Sequence, residues 1–174
     1  PGIRQLIHDR DSIRVINTFN RQHVMNLVDC LAAIERTGEK TPASLARYAQ
    51  RYGRKRYLAV PLQKTWSEAL DFCTRAGATL ASPSTWEEAS NLNRYLDKSG
   101  FTAGFILFGL IVTEGIITGW TSGATLKHES WATDSDRQRC RELPGQVMFS
   151  THYGPWIFEK RATPWYFVME WGEK

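Results

Sequence analysis

The chain has 174 residues, enough for one ordinary domain with a helical appendage and a core that folds without disulfide or metal staples. Hydrophobic residues at 42% and charged residues at 23% exclude a disordered or membrane-embedded composition, and no run reaches the roughly 18 to 20 apolar residues of a membrane span. Much of the net charge of +4 comes from Arg47, Arg51, Arg54, Lys55 and Arg56, which have no acidic neighbour. Such a local run is expected to be a solvated linker or helix end rather than a phosphate-binding patch.

The chain opens on Pro1, with no charged-then-apolar leader, as expected of an excised piece of a larger protein. From Ser12 to Arg36, Val24, Leu27, Leu31 and Ile34 recur at steps of three and four, and Ile13 and Ile16 continue the stripe of an amphipathic helix. Gly38 ends it. Thr41-Pro42 then opens a second helix over Ala43 to Tyr52, closed by Gly53. Residues 1–54 thus read as a helical hairpin and linker ahead of a domain over 55–174.

After Arg54 the pattern alternates. Arg56 to Leu62 has strand composition, and Thr65-Trp66-Ser67-Glu68 is a capping box for a helix that stops at Ala76-Gly77. Ala78 to Ala81 reads as a strand, and Thr85-Trp86-Glu87-Glu88 as a second capping box for a helix to about Leu96. Beyond Gly100 there is no helical period, only short runs at Phe105 to Leu110, Gly115 to Trp120, Gln146 to Ser150 and Trp165 to Trp171. The expected class is α+β. Seven Trp, six Tyr and eight Phe imply a core of large rings whose polar edges need partners. The three Cys, at 30, 73 and 140, show no metal-type spacing, so free thiols and a reducing, intracellular (cytoplasmic) compartment are expected.

The order of these pieces resembles the C-type lectin-like family. Trp66, Ala69 and Cys73 match its W-x-x-A-x-x-x-C helix, Gly77 to Ser82 its G-x-x-L-A-x turn, and Trp86-Glu87-Glu88-Ala89 the start of its second helix. Ile106 to Leu110 is similar to its W-I-G-L strand, and Gly115, Trp120 and Gly123 to the hairpin that follows. Leu126 to Trp131 is similar to the segment leading to a buried Trp. Gly154-Pro155-Trp156 resembles its G-x-W-x-D strand and Tyr166 to Trp171 its closing Y-x-C-E-W strand. The resemblance implies paired terminal strands, from Arg56 to Leu62 and Trp165 to Trp171, and a long loop from Gly123 to Gly145 that carries binding residues.

Two departures qualify it. Met169 stands where the family's helix Cys finds its partner, which leaves Cys73 single, and no Cys near Arg161 matches Cys140. The family's calcium and sugar triplets are absent too. The strand reads Trp156-Ile157-Phe158, without oxygen donors, and Asp134 and Asp136 read as solvated loop carboxylates beside Arg137 and Arg139, which would compete with a cation.

No nucleophile elbow, phosphate loop or zinc-helix motif appears, and His8, His23, His128 and His152 do not cluster, so no catalytic residue, cofactor or metal is expected. The resemblance implies a non-catalytic binding module of a bacterial multidomain protein, with a protein partner and no calcium requirement. Trp131, Asp134, Asp136, Arg137, Arg139 and Trp156 are the ligand-binding candidates. Carbohydrate is the alternative ligand, stacked on Trp131 and Trp156. Nucleic acid, which would use Arg47 to Arg56 with Tyr48, Tyr52 and Tyr57, is not favoured.

Overall fold

A computed structural model describes residues 42–172, apart from 102 and 153. The amphipathic helix expected over Ser12 to Arg36, with Cys30, lies outside the described residues. In chain order, a 3-10 helix over Pro42–Tyr48 leads to β1 (Gln50–Tyr52), β2 (Lys55–Lys64), α1 (Trp66–Arg75), β3 (Thr79–Leu80) and α2 (Trp86–Lys98). There follow β4 (Phe105–Ile106), β5 (Leu110–Thr113), β6 (Ile116–Trp120), α3 (Asp134–Glu142), β7 (Gln146–Ser150), β8 (Trp156–Glu159) and β9 (Trp165–Trp171).

Tyr57 to Val60 and Phe167 to Met169 are continuous apolar runs, the pattern of strands covered on both faces. They pair with each other. β2 and β9 run antiparallel from Arg56 opposite Trp171 to Val60 opposite Phe167, and β3 adds to the far side of β9 with Leu80 opposite Met169. The result is a four-stranded sheet in the order β1-β2-β9-β3, beside a three-stranded sheet β4-β7-β8 and the hairpin β5-β6. All pairings between named strands are antiparallel, so the α+β class and the paired terminal strands are as expected.

Helix starts follow their caps. Thr65 and Glu68 close a reciprocal capping box on α1. On α2 the Thr85 hydroxyl accepts from the Glu88 N–H, but the Glu88 carboxylate turns away to accept from the Ser84 N–H and hydroxyl and to meet Lys55 at 3.1 Å. Half the expected box forms because an ammonium group competes for the other half.

The helix expected over Ala43 to Tyr52 does not form. A 3-10 helix ends at Tyr48, and β1 then pairs with β2 across a tight turn in which Gly53 takes φ +67°. Tertiary contacts override the local helical pattern: the Leu45 side chain is buried, and the Tyr52 ring meets the edge of Tyr95 at 5.7 Å. The folded unit therefore starts upstream of Lys55. Of the basic run, Arg47, Arg51 and Arg54 are exposed as expected, with Arg47 over the Tyr48 ring, whereas Arg56 faces Trp171 and Lys55 is drawn inside.

Lys55 Nζ donates to the Ser82 carbonyl at 3.0 Å and to Glu170 Oε1 at 3.1 Å, and the Ser82 N–H donates to the same oxygen at 2.9 Å. Glu170 is 1% exposed. Burial pushes its carboxyl above the ordinary carboxylate range, against the pull of Lys55 and the Ser82 N–H. One ammonium thus ties β2, β9, the turn after β3 and, through Glu88, helix α2. Met169 is buried between Leu58 and Leu80 in the sheet register, and Cys73 and Cys140 are free and buried.

Titration of the unfolded, unreduced chain with a thiol reagent is expected to find all three Cys reactive; one reactive thiol would reveal a disulfide. Lys55→Met is expected to cost about 3 kcal/mol near neutral pH, since it leaves a buried carboxylate without its counter-ion. In that variant the folded pKa of Glu170 rises further above its unfolded value, so stability falls as pH climbs from the unfolded value through the folded one. Denaturant melts at about pH 4.5 should therefore show a smaller loss than melts at about pH 7.

Candidate functional site

Thr133-Asp134-Ser135-Asp136 has the form of a capping box, and it opens the unexpected helix α3 inside the long loop. The Thr133 hydroxyl accepts from the Asp136 N–H at 3.1 Å and donates to the Asp136 carboxylate at 2.6 Å. Asp136 Oδ1 also accepts from Arg139 at 3.0 Å and from the Phe158 N–H of β8 at 2.9 Å. Asp136 is buried, not solvated as expected. Burial acts to raise its pKa, but Thr133, the Phe158 N–H and Arg139 outweigh it and hold the carboxyl below the ordinary range.

The loop before α3 seals the rest of the β8 edge. The Trp156 N–H donates to the Ser130 carbonyl at 2.6 Å, and the Ala132 N–H donates to the Trp156 carbonyl at 2.8 Å. An edge strand that would otherwise present open N–H and C=O groups is thereby closed. The Trp156 ring is 2% exposed, packed among Phe108, Trp120 and Trp131 at 5.6–6.0 Å between centroids. It has no free face for a ligand to stack on.

Of the other expected residues, Asp134 is an exposed residue of the first turn of α3. Arg139 pairs with Asp136 and lies over the Phe158 ring at 5.6 Å, holding the helix to β8. Trp131 is half-buried, with its indole N–H donating to Glu129 Oε1 at 2.9 Å, and Arg137 reaches Glu129 at 3.7 Å. The structure thus brings Trp131 and Arg137 together through Glu129. Asp136, Arg139 and Trp156 form the support behind them.

In front of this support stands the hairpin β5-β6. Glu114 and Gly115 both take positive φ, 51° and 77°, in its two-residue turn. A Cβ at Gly115 would lie 2.8 Å from the Cys140 carbonyl oxygen and 2.9 Å from that of Arg141, so only glycine lets the turn rest on the last turn of α3. Two surface hollows meet there and share Glu114, Gly115, Cys140 and Arg141. One, of about 330 Å³, continues to Ile116, Trp131 and Arg137; the other, of about 420 Å³, continues to Leu143 and Val147. Sequence reasoning missed Glu114, Ile116, Glu129 and Arg141. The hairpin turn and the Thr133 capping box were the signals that place them.

Among the described residues no group of three or more His, Cys, Asp or Glu is placed to hold a metal ion. Trp86 is a further exposed aromatic, 66% exposed at the start of α2 and stacked on His128 at 5.3 Å.

Asp136→Ala is expected to cost about 2 to 3 kcal/mol near neutral pH, because it strands the buried Phe158 N–H and leaves Arg139 and the Thr133 hydroxyl without their acceptor. Asp134→Ala should cost about 0.5 kcal/mol or less. A carboxyl with a depressed pKa stabilises above its unfolded pKa and loses that contribution as pH falls through the folded value. The gap between wild type and Asp136→Ala in denaturant melts should accordingly narrow on acidification towards about pH 3.

No protein-family model matches the chain, and no curated protein matches it. Solved structures do. The C-type lectin CEL-I from Cucumaria echinata is similar with a TM-score of 0.60 at 19% identity, over 70% of this chain and 93% of that one. Human lithostathine is similar with a TM-score of 0.60 at 21% identity, over 72% of this chain and 97% of that one. The carbohydrate-recognition domain of the mouse scavenger receptor C-type lectin reaches 0.57 at 17% identity, over 73% of this chain and 97% of that one. At these identities the likeness is one of fold: the described part of the chain has the fold of C-type lectin domains.

Proposed function

We propose that this chain is a non-catalytic binding module that engages a protein partner without calcium, as part of a larger multidomain protein. The binding role rests on the likeness of fold to lectin domains. The single observation that supports calcium independence is the state of Asp136. Its two oxygens already accept from the Thr133 hydroxyl, the Phe158 N–H and Arg139, and the neighbouring β8 positions hold Ile157 and Phe158, which offer no side-chain oxygen. A hard cation needs six to eight oxygen ligands. We also propose a reducing, cytoplasmic compartment, on the strength of the free Cys73 and Cys140.

A second reading, carbohydrate binding without calcium, is favoured by one observation: the exposed ring of Trp86, held in place by the stacked His128. It differs from stacking on Trp156, whose ring is buried.

A ligand that binds the native state raises its melting temperature by mass action. Millimolar calcium and chelator are expected to give the same thermal transition. The immobilised chain should capture a protein partner equally well in both conditions, with no hit on a glycan array. A calcium-dependent shift in melting, or chelator-sensitive capture, would replace this reading with that of a calcium lectin. A glycan signal abolished by Trp86→Ala and indifferent to chelator would select the second reading.

A further inference from the structure

Two ion pairs on this face are internal. Arg137 meets Glu129, and Arg139 meets Asp136. Glu114 and Arg141 are different. Their chain segments touch, since a Cβ on Gly115 would lie 3.0 Å from the Arg141 Cα, and both side chains are exposed. Yet among the described residues neither forms an ion pair with the other or with a third group. An exposed carboxylate and an exposed guanidinium on touching segments, neither in an ion pair, leave both charges open to a ligand.

Turn chemistry does not account for Glu114. The first position of such a turn favours Asn, Asp or Gly, and Glu114, which lines both hollows, holds a positive φ of 51° there. Apolar anchors flank the pair. Among the described residues four large hydrophobic side chains are exposed, and two of them belong here, Ile116 at 66% in one hollow and Leu143 at 41% in the other.

We propose that the two hollows form one groove for an extended peptide segment of the partner protein. A basic side chain of the peptide pairs with Glu114, an acidic one pairs with Arg141, and aliphatic side chains pack on Ile116 and Leu143. Each hollow is large enough for one or two side chains, and the segment crosses the Gly115 turn between them. Nucleic acid fits poorly, because three carboxylates, Glu114, Glu129 and Glu142, line the hollows against two guanidinium groups, Arg137 and Arg141, and leave no basic patch for phosphates. The inference rests on the binding-module reading and adds the place and the ligand chemistry.

The test is selection of a displayed library of random dodecapeptides on the immobilised full chain. The enriched sequences are expected to combine an acidic and a basic residue within a few positions and to carry aliphatic neighbours. A synthetic peptide of the leading sequence should lose at least about tenfold in affinity on Arg141→Glu and on Ile116→Asp, both surface changes expected to lower the melting temperature by no more than a few degrees. The double variant Glu114→Arg with Arg141→Glu should recover affinity for the peptide with its two charges exchanged. Enriched peptides that bind Arg141→Glu and Ile116→Asp as well as wild type would overturn the groove while leaving the module reading intact. Absence of enrichment overturns the groove as well, and the module reading falls only if partner capture by the full chain also fails.

Discussion

The Lys55–Glu170 pair is the interaction on which the arrangement of the domain turns. It stands where β2 leaves the turn from β1 and where β9 ends, so it locks together the strands that bring the two ends of the folded unit side by side. Glu170 is buried deeply enough that its charge is tolerable only with Lys55 and the Ser82 N–H present. Those two donors come from separate parts of the chain. The carboxylate therefore fixes the turn after β3, and through the shared ammonium it fixes the first turn of α2 as well.

The same logic explains how helix α1 is joined to β9 without the disulfide that the family resemblance implies. Phe72 meets Phe167 edge to face at 5.7 Å, and the Trp171 indole N–H donates to the Ala76 carbonyl at 3.3 Å. Met169 fills the sheet position opposite Leu58 and Leu80. A flexible thioether packs where a bridge would otherwise lie. The link is spread over several apolar and polar contacts, each within reach of ordinary burial energies in a domain of this size.

In the long loop a carboxylate again decides the architecture, in the opposite sense. Asp136 is low in pKa because its oxygens are fully used, and that use closes the β8 edge and seats α3. The strand edge beneath is satisfied, the Trp156 ring is enclosed, and the residues left facing outward are those of the β5-β6 turn and the exposed side of α3. A rigid support with charged and apolar side chains on its rim is what a binding surface needs.

The sequence by itself determined the α+β class, the two capped helices α1 and α2, the paired terminal strands and the ordered motifs of a C-type lectin-like fold. These rest on local rules, such as a hydroxyl three residues before a Glu or an apolar run too short for a helix, that act within a few residues. It also gave Trp131 and Arg137 as residues of the loop face. Only the tertiary structure decided that Gln50–Tyr52 is a strand, because the Tyr52–Tyr95 contact and the pairing with β2 outweigh helix propensity. It decided too that Lys55, in a run that reads as solvated, is an interior counter-ion, and that Asp136 and Trp156 support the site from behind. The reason is the same in each case: the partner that fixes the role, Glu170 for Lys55 or the Phe158 N–H for Asp136, lies far away in sequence, and no local pattern records it.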